Sequence, residues 1–105
     1  MKPIHPFLRP LGASVLLWLA STSAAQSPDL QARAWAASCA ACHGTQGQSQ
    51  GGIPAIAGAD KATLLDKLKA YRDGKLPATV MHQHAKGYTD AELDRLAAYF
   101  ATQKR

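Results

Sequence analysis

Apolar positions along this chain fall into helical stripes rather than strand-like alternation. In "DKATLLDKLKAYRDG", residues 60–74, Leu64, Leu65, Leu68 and Tyr71 recur at the spacing of one helix face. Asp60 has the chemistry of an N-cap, and Gly74 that of a terminator. In "TDAELDRLAAYF", Leu93, Leu96, Ala97 and Phe100 stand at i, i+3, i+4 and i+7. Thr89 and Glu92 form a capping box there, with Tyr88 and Leu93 placed as a hydrophobic staple. An alanine-rich run, "SPDLQARAWAASCAAC", predicts a third helix, with Ser27 as N-cap, Pro28 at its first position and an end at Gly44. Residues 44–58 hold five glycines and Pro54 and read as loop. Residues 75–88, with Pro77, read as a second loop. No strand pattern and no internal repeat is visible. The expectation is an all-α domain of three main helices, with loops long enough that something must fill the space between them.

The first 25 residues read differently. Lys2 and Arg9 precede "LGASVLLWLA" at 11–20, and "STSAA" then offers small residues at a cleavage site. This predicts a secretory signal peptide over 1–25, cleaved on export to the periplasm, and a single domain over 26–105. The apolar stretch is short of the roughly 20 residues a membrane span needs, so no stable span is expected. Neither a twin arginine nor a cysteine at the cleavage site marks a different export route. About 80 residues make a marginal core, and domains of that size usually need a staple.

Charge changes the picture little. The whole chain carries a formal +5, and beyond residue 25 ten Lys and Arg face seven Asp and Glu. The signs are interspersed, which excludes a nucleic-acid-binding composition but can steer docking to an acidic partner.

The decisive chemistry lies in "CAACHG", residues 39–44, which holds both cysteines of the chain. Two cysteines in an exported domain can form a disulfide. They can act as a thioredoxin-like pair, although that requires a βαβ context. They can also join His43 and either His82 or His84 around zinc. Yet Cys-x-x-Cys-His is the attachment pattern of c-type haem. Residues three apart on a helix face the same way, so Cys39 and Cys42 can reach both vinyl groups of one porphyrin. His43 then offers its imidazole to the iron as proximal ligand. A covalently held haem would also be the staple.

A second axial ligand must come from elsewhere. "VMHQHAKGYT", residues 80–89, offers Met81, His82 and His84, a set that in isolation could equally bind copper. Met81 stands 38 residues beyond His43 in a polar loop, so it can fold over the other haem face. Met81 is the expected distal ligand, with His84 and His82 as rivals and an open sixth position as the remaining alternative.

These residues resemble the class I c-type cytochromes over nearly all of 26–105. The resemblance implies their small all-α fold wrapped around one haem. It implies that Trp35, four before the first cysteine, packs on Leu96 and Tyr99. Pro54, Ile56 and Gly58 match a Pro-x-aliphatic-x-Gly element, in which the Pro54 carbonyl accepts the His43 Nδ1–H and Ile56 packs on the haem. Tyr71 lies where a hydroxyl can reach the Met81 sulfur. The chain departs from the family at Gln31, where many members carry a small residue at the crossing of the terminal helices.

The second half is similar to a narrower group, the cytochrome subunits of flavocytochrome c sulfide dehydrogenases, through Gly74, Lys75, Pro77, Met81, Lys86, Gly87 and Tyr88. That likeness implies a non-catalytic one-electron carrier. It would accept electrons from an FAD flavoprotein that oxidises sulfide and pass them to a downstream acceptor protein, with Lys75 and Lys86 as docking candidates. A freely diffusing periplasmic shuttle uses the same fold and ligands. A haem sensor or peroxidase-like enzyme would instead need the sixth position open.

Overall fold

The computed structural model describes residues 27–105 and, before them, only positions 1 and 3. The expected signal segment 1–25 is otherwise outside the described residues. α1 spans Leu30–His43. Its cap is Asp29, not the expected Ser27, and Pro28 stays outside the helix instead of opening it. The Asp29 carboxylate accepts the Ala32 N–H at 3.0 Å and two hydrogen bonds from Arg95 at 2.6 and 2.7 Å. A side chain that caps the helix and also binds a distant cation wins over one that only caps.

Arg95 also lies 4.7 Å above the Trp35 ring. Trp35 meets Tyr88 edge-on at 6.0 Å, while Tyr99, its expected partner, packs edge-on against Phe100 at 5.2 Å. Arg95 is one turn before Tyr99 on the same helix face, and Trp35 packs against the core cluster that holds Leu96, its other expected partner. The departure at Gln31 also resolves. Gln31 is exposed, and α1 meets the core through the buried Ala32 and Ala36 instead.

The Asp29–Arg95 pair makes acid stability testable. Hydrogen bonds from Arg95, then from the Ala32 amide, pull the Asp29 carboxyl from 3.8 down to about 2. Its contribution is therefore complete above pH 3.8 and is lost as the pH falls toward about 2. Asp29→Asn keeps a capping side chain but removes the charge. The variant is expected to melt below wild type at pH 6, with the two melting temperatures converging between about pH 4 and pH 2. Because the pair is exposed, added salt should narrow the gap.

α2 spans Lys61–Arg72, capped as expected by Asp60, which accepts the Thr63 N–H at 2.9 Å and its hydroxyl at 2.7 Å. α3, Met81–Ala85, is a helix where the sequence reads as loop. Five residues are too few to display a 3.6-residue stripe, and Val80 before it supplies no capping side chain. What holds it is the burial of Ala85 and packing against α2. α4 spans Asp90–Ala101 and opens with the expected capping box of Thr89 and Glu92. It packs on both α1 and α2. Lys61–Asp94 at 2.9 Å, Arg72–Asp90 at 2.6 Å and Lys69–Asp90 at 3.5 Å join α2 to α4 at the surface.

The architecture is thus all-α, three main helices and a short fourth, with no strand among the described residues. No described helix is long and apolar enough to cross a membrane. The core cluster is small: Ala36, Leu64, Leu93, Leu96, Ala97 and Phe100. Five of the nine buried apolar side chains among the described residues are alanines. Little apolar area is removed from water by such a set, so the protein needs a further apolar body between its elements.

Candidate functional site

Space for that body exists. A cleft of about 360 Å³ opens between α1, α2, α3 and the 53–56 segment. Ile56, Leu64, Leu68, Leu96 and Phe100 supply apolar walls. These are the same stripes that periodicity marks in α2 and α4, now turned toward a shared hollow. Lys67 is the only lysine, arginine or carboxylate among the lining residues.

Cys39, Cys42 and His43 line the cleft from the last turn of α1. Cys39 is half-buried and Cys42 exposed, and neither sulfur is bonded to the other. Burial pushes the Cys39 thiol up, an environment that favours an uncharged sulfur. His43 ends the helix. Gly44 follows at φ +83°, and its N–H bonds the Ala40 carbonyl at 3.0 Å. An L side chain resists that conformation, and a Cβ there would sit 2.8 Å from the Ser49 nitrogen.

His43 Nδ1 lies 2.6 Å from the Pro54 carbonyl oxygen. A carbonyl can only accept, so Nδ1 carries the proton and Nε2 is left with its lone pair for a metal. Pro54 is held by the loop around it. The Gly47 carbonyl accepts the Ile56 and Ala57 N–H groups at 2.9 and 3.0 Å, and the Gly58 N–H donates to Phe100 at 2.8 Å. Ile56 packs on the core and lines the cleft.

From α3, Met81 and His84 line the cleft, and His82 does not. Tyr71 lines it as well. Sequence reading had no means to single out Thr79, Val80 or Lys67 as lining residues. Thr79 and Val80 stand in a loop without period, and Lys67 shares the face of Leu64 and Tyr71 but is not apolar.

The donor set selects among the candidate chemistries. No three His, Cys, Asp or Glu side chains converge on a metal position among the described residues, which leaves the zinc reading without its ligands. A thioredoxin-like pair lacks its sheet among the described residues. Two thiols one turn apart, an imidazole with a free Nε2 and apolar walls suit a flat macrocycle with a central iron.

Comparison with known proteins agrees. A family profile, Cytochrome c, matches residues 31–104. The cytochrome subunit of sulfide dehydrogenase from Chlorobaculum tepidum is 44% identical over 63 residues, 60% of this chain and 57% of that protein. The thiosulfate dehydrogenase electron acceptor of Thiomonas intermedia is 34% identical over 109 residues, 99% of this chain and 48% of that protein. Cytochrome c-554(547) of Halothiobacillus neapolitanus is 34% identical over 79 residues, 65% of this chain and 87% of that protein. The match thus spans about half the length of the Chlorobaculum and Thiomonas proteins. The chain belongs to the cytochrome c family and binds one covalently attached haem c through Cys39 and Cys42.

Proposed function

We propose that this cytochrome is an exported one-electron carrier whose haem iron is held by His43 and Met81. The observation that carries the ligand assignment is the shared cleft: His43 reaches it from α1 and Met81 from α3, so iron between them takes one ligand from each. The haem supplies the one-electron couple. Pro54 fixes the ring orientation and tautomer of His43, and Ile56 and the other apolar walls of the cleft would cover the macrocycle and limit water at the iron. Methionine is a neutral, soft ligand that favours reduced iron, so His/Met ligation sets a higher potential than bis-histidine ligation would.

The electron donor in this reading is a flavoprotein of the sulfide dehydrogenase type, and a second protein downstream is the acceptor. The 44% identity to a sulfide dehydrogenase cytochrome subunit supports it. In this reading the 1–25 segment directs export and is then cleaved, which leaves 26–105 as the working domain in the periplasm. Charge placement supports docking to an acidic partner. Of the seven acidic residues, Asp29, Asp73, Asp90 and Asp94 are engaged in ion pairs, Asp60 and Glu92 cap helices, and the exposed Asp66 has neither role. Lys67 on the cleft and the exposed Lys75 and Lys86 remain to steer an acidic partner.

A free shuttle is the second reading. It is favoured by the likeness to a cytochrome c-554(547) that this match covers over 87% of its length. One experiment separates the two. The tagged chain is purified from the periplasm of its own host and sized under native conditions. Flavin absorbance eluting with the haem is expected for the subunit, and a haem-only monomer would reverse that assignment. In the same sample, a far-red Met–iron charge-transfer band in the oxidised spectrum is the expected mark of Met81 ligation.

A further inference from the structure

The structure separates the two histidines beside Met81, and the separation has a chemical consequence. Met81 and His84 both line the haem cleft, whereas His82 does not. Residues three apart share a helix face, about 4.5 Å apart along the axis. His84 is exposed, so its ring is free to reorient. α3 is itself a short carrier of these ligands, held by Ala85 and by its packing on α2. It is a single five-residue turn with no side-chain cap at its start, and its one buried residue, Ala85, follows His84. A shift of this turn by about 4.5 Å along its axis would bring His84 to the position of Met81.

We propose that His84 is a reserve ligand, which takes the distal axial position when the Met81 thioether is lost. The inference rests on Met81 being the resting ligand. Imidazole is a stronger donor to ferric iron than a thioether, so the exchange yields a bis-histidine haem of lower potential. The loss has a defined chemical route. Met81 is the only methionine apart from Met1. A peroxide transfers one oxygen atom to its sulfur, giving the sulfoxide and releasing water (or an alcohol from an organic peroxide). The polar sulfoxide is a poor soft ligand, and His84 then keeps the iron six-coordinate and closed to further peroxide.

The test uses the holoprotein with its covalent haem. Met81→Leu preserves side-chain volume while removing the sulfur. Optical and electron paramagnetic resonance spectra should show a low-spin, six-coordinate iron in this variant, without the far-red band and with a potential below wild type. Met81→Leu/His84→Ala should be high-spin, and Met81→Leu/His82→Ala should remain low-spin. A high-spin Met81→Leu protein, or a double His84 variant that stays low-spin, overturns the proposal. If Met81→Leu fails to fold, wild type and His84→Ala are compared after treatment with hydrogen peroxide. A low-spin product from the first and a high-spin product from the second support the reserve role, and identical products overturn it. Failure of the underlying reading looks different. A wild-type spectrum without the far-red band, unchanged by Met81→Leu, removes Met81 as ligand and the exchange with it.

Discussion

Replacing Cys39 and Cys42 together by alanine is expected to abolish covalent haem and, with it, cooperative unfolding of the domain. As packing changes the two substitutions are minor. Cys42 is exposed and Cys39 only half-buried, so substitution should cost little if the sulfurs only filled space. The burial pattern argues for a much larger effect. The core cluster contains four large side chains, Leu64, Leu93, Leu96 and Phe100. Three of them, Leu64, Leu96 and Phe100, also line the cleft and need something against their other side. Each 100 Å² of apolar surface kept from water contributes about 2.5 kcal/mol. A macrocycle covered on both faces therefore supplies a term comparable with the whole net stability of a small domain, about 5–15 kcal/mol. Without it, the cleft walls face solvent and α2, α3 and α4 lose a common surface.

The measurements are haem retained on a denaturing gel and the urea transition followed by far-ultraviolet circular dichroism. Loss of gel-bound haem and a broad, shallow transition are expected for the double variant. Either single variant should keep one thioether and hence gel-bound haem. A double variant that unfolds with the wild-type midpoint and slope would show that the alanine-rich core is self-sufficient, and the cofactor's structural role would fall.

What was legible in the sequence divides by range. The caps at Asp60 and Thr89 are local events, and both could be read from three or four neighbouring residues. Cys39, Cys42 and His43 are equally local, since one helical turn brings them to one face. The N-terminus of α1 was misplaced because its cap is chosen by Arg95, 66 residues away from Asp29. The surroundings of Trp35 are also non-local: it packs on the core cluster that holds the expected Leu96, but Tyr88 meets its edge and Arg95 its face. α3 escaped because one turn carries no period. In the stretch 81–84, spacing alone named three ligands with nothing to rank them beyond chemical preference. Only the fold shows that Met81 and His84 share the cleft while His82 is not among its lining residues.

Gly47→Ala is expected to lower stability by about 2–5 kcal/mol, the sum of a left-handed backbone penalty of about 1–2 and an overpacking cost of about 1–3. The residue looks dispensable in "GTQGQSQGG", one glycine among several, but it is buried and sits at φ +79°. A Cβ there would lie 2.8 Å from Ile56 Cγ1 and 2.9 Å from Phe100 Cδ1. Neither neighbour is a free side-chain end: Phe100 is 2% exposed, and Ile56 is packed against the core. The Gly47 carbonyl is also the acceptor that closes the loop onto the Ile56 and Ala57 amides. Strain at this point therefore reaches Pro54, two residues before Ile56, and through its carbonyl the ring of His43. Gly51 provides the control, since nothing lies within 4 Å of a Cβ placed on it. Gly51→Ala should stay within about 0.5 kcal/mol of wild type. Urea denaturation should show a lowered midpoint at unchanged slope for Gly47→Ala alone. A Gly47→Ala midpoint equal to that of Gly51→Ala would mean that the 44–58 loop shifts as a unit to admit the methyl group. Its hold on Pro54, and so on the His43 ring, would then be loose rather than clamped between Ile56 and Phe100.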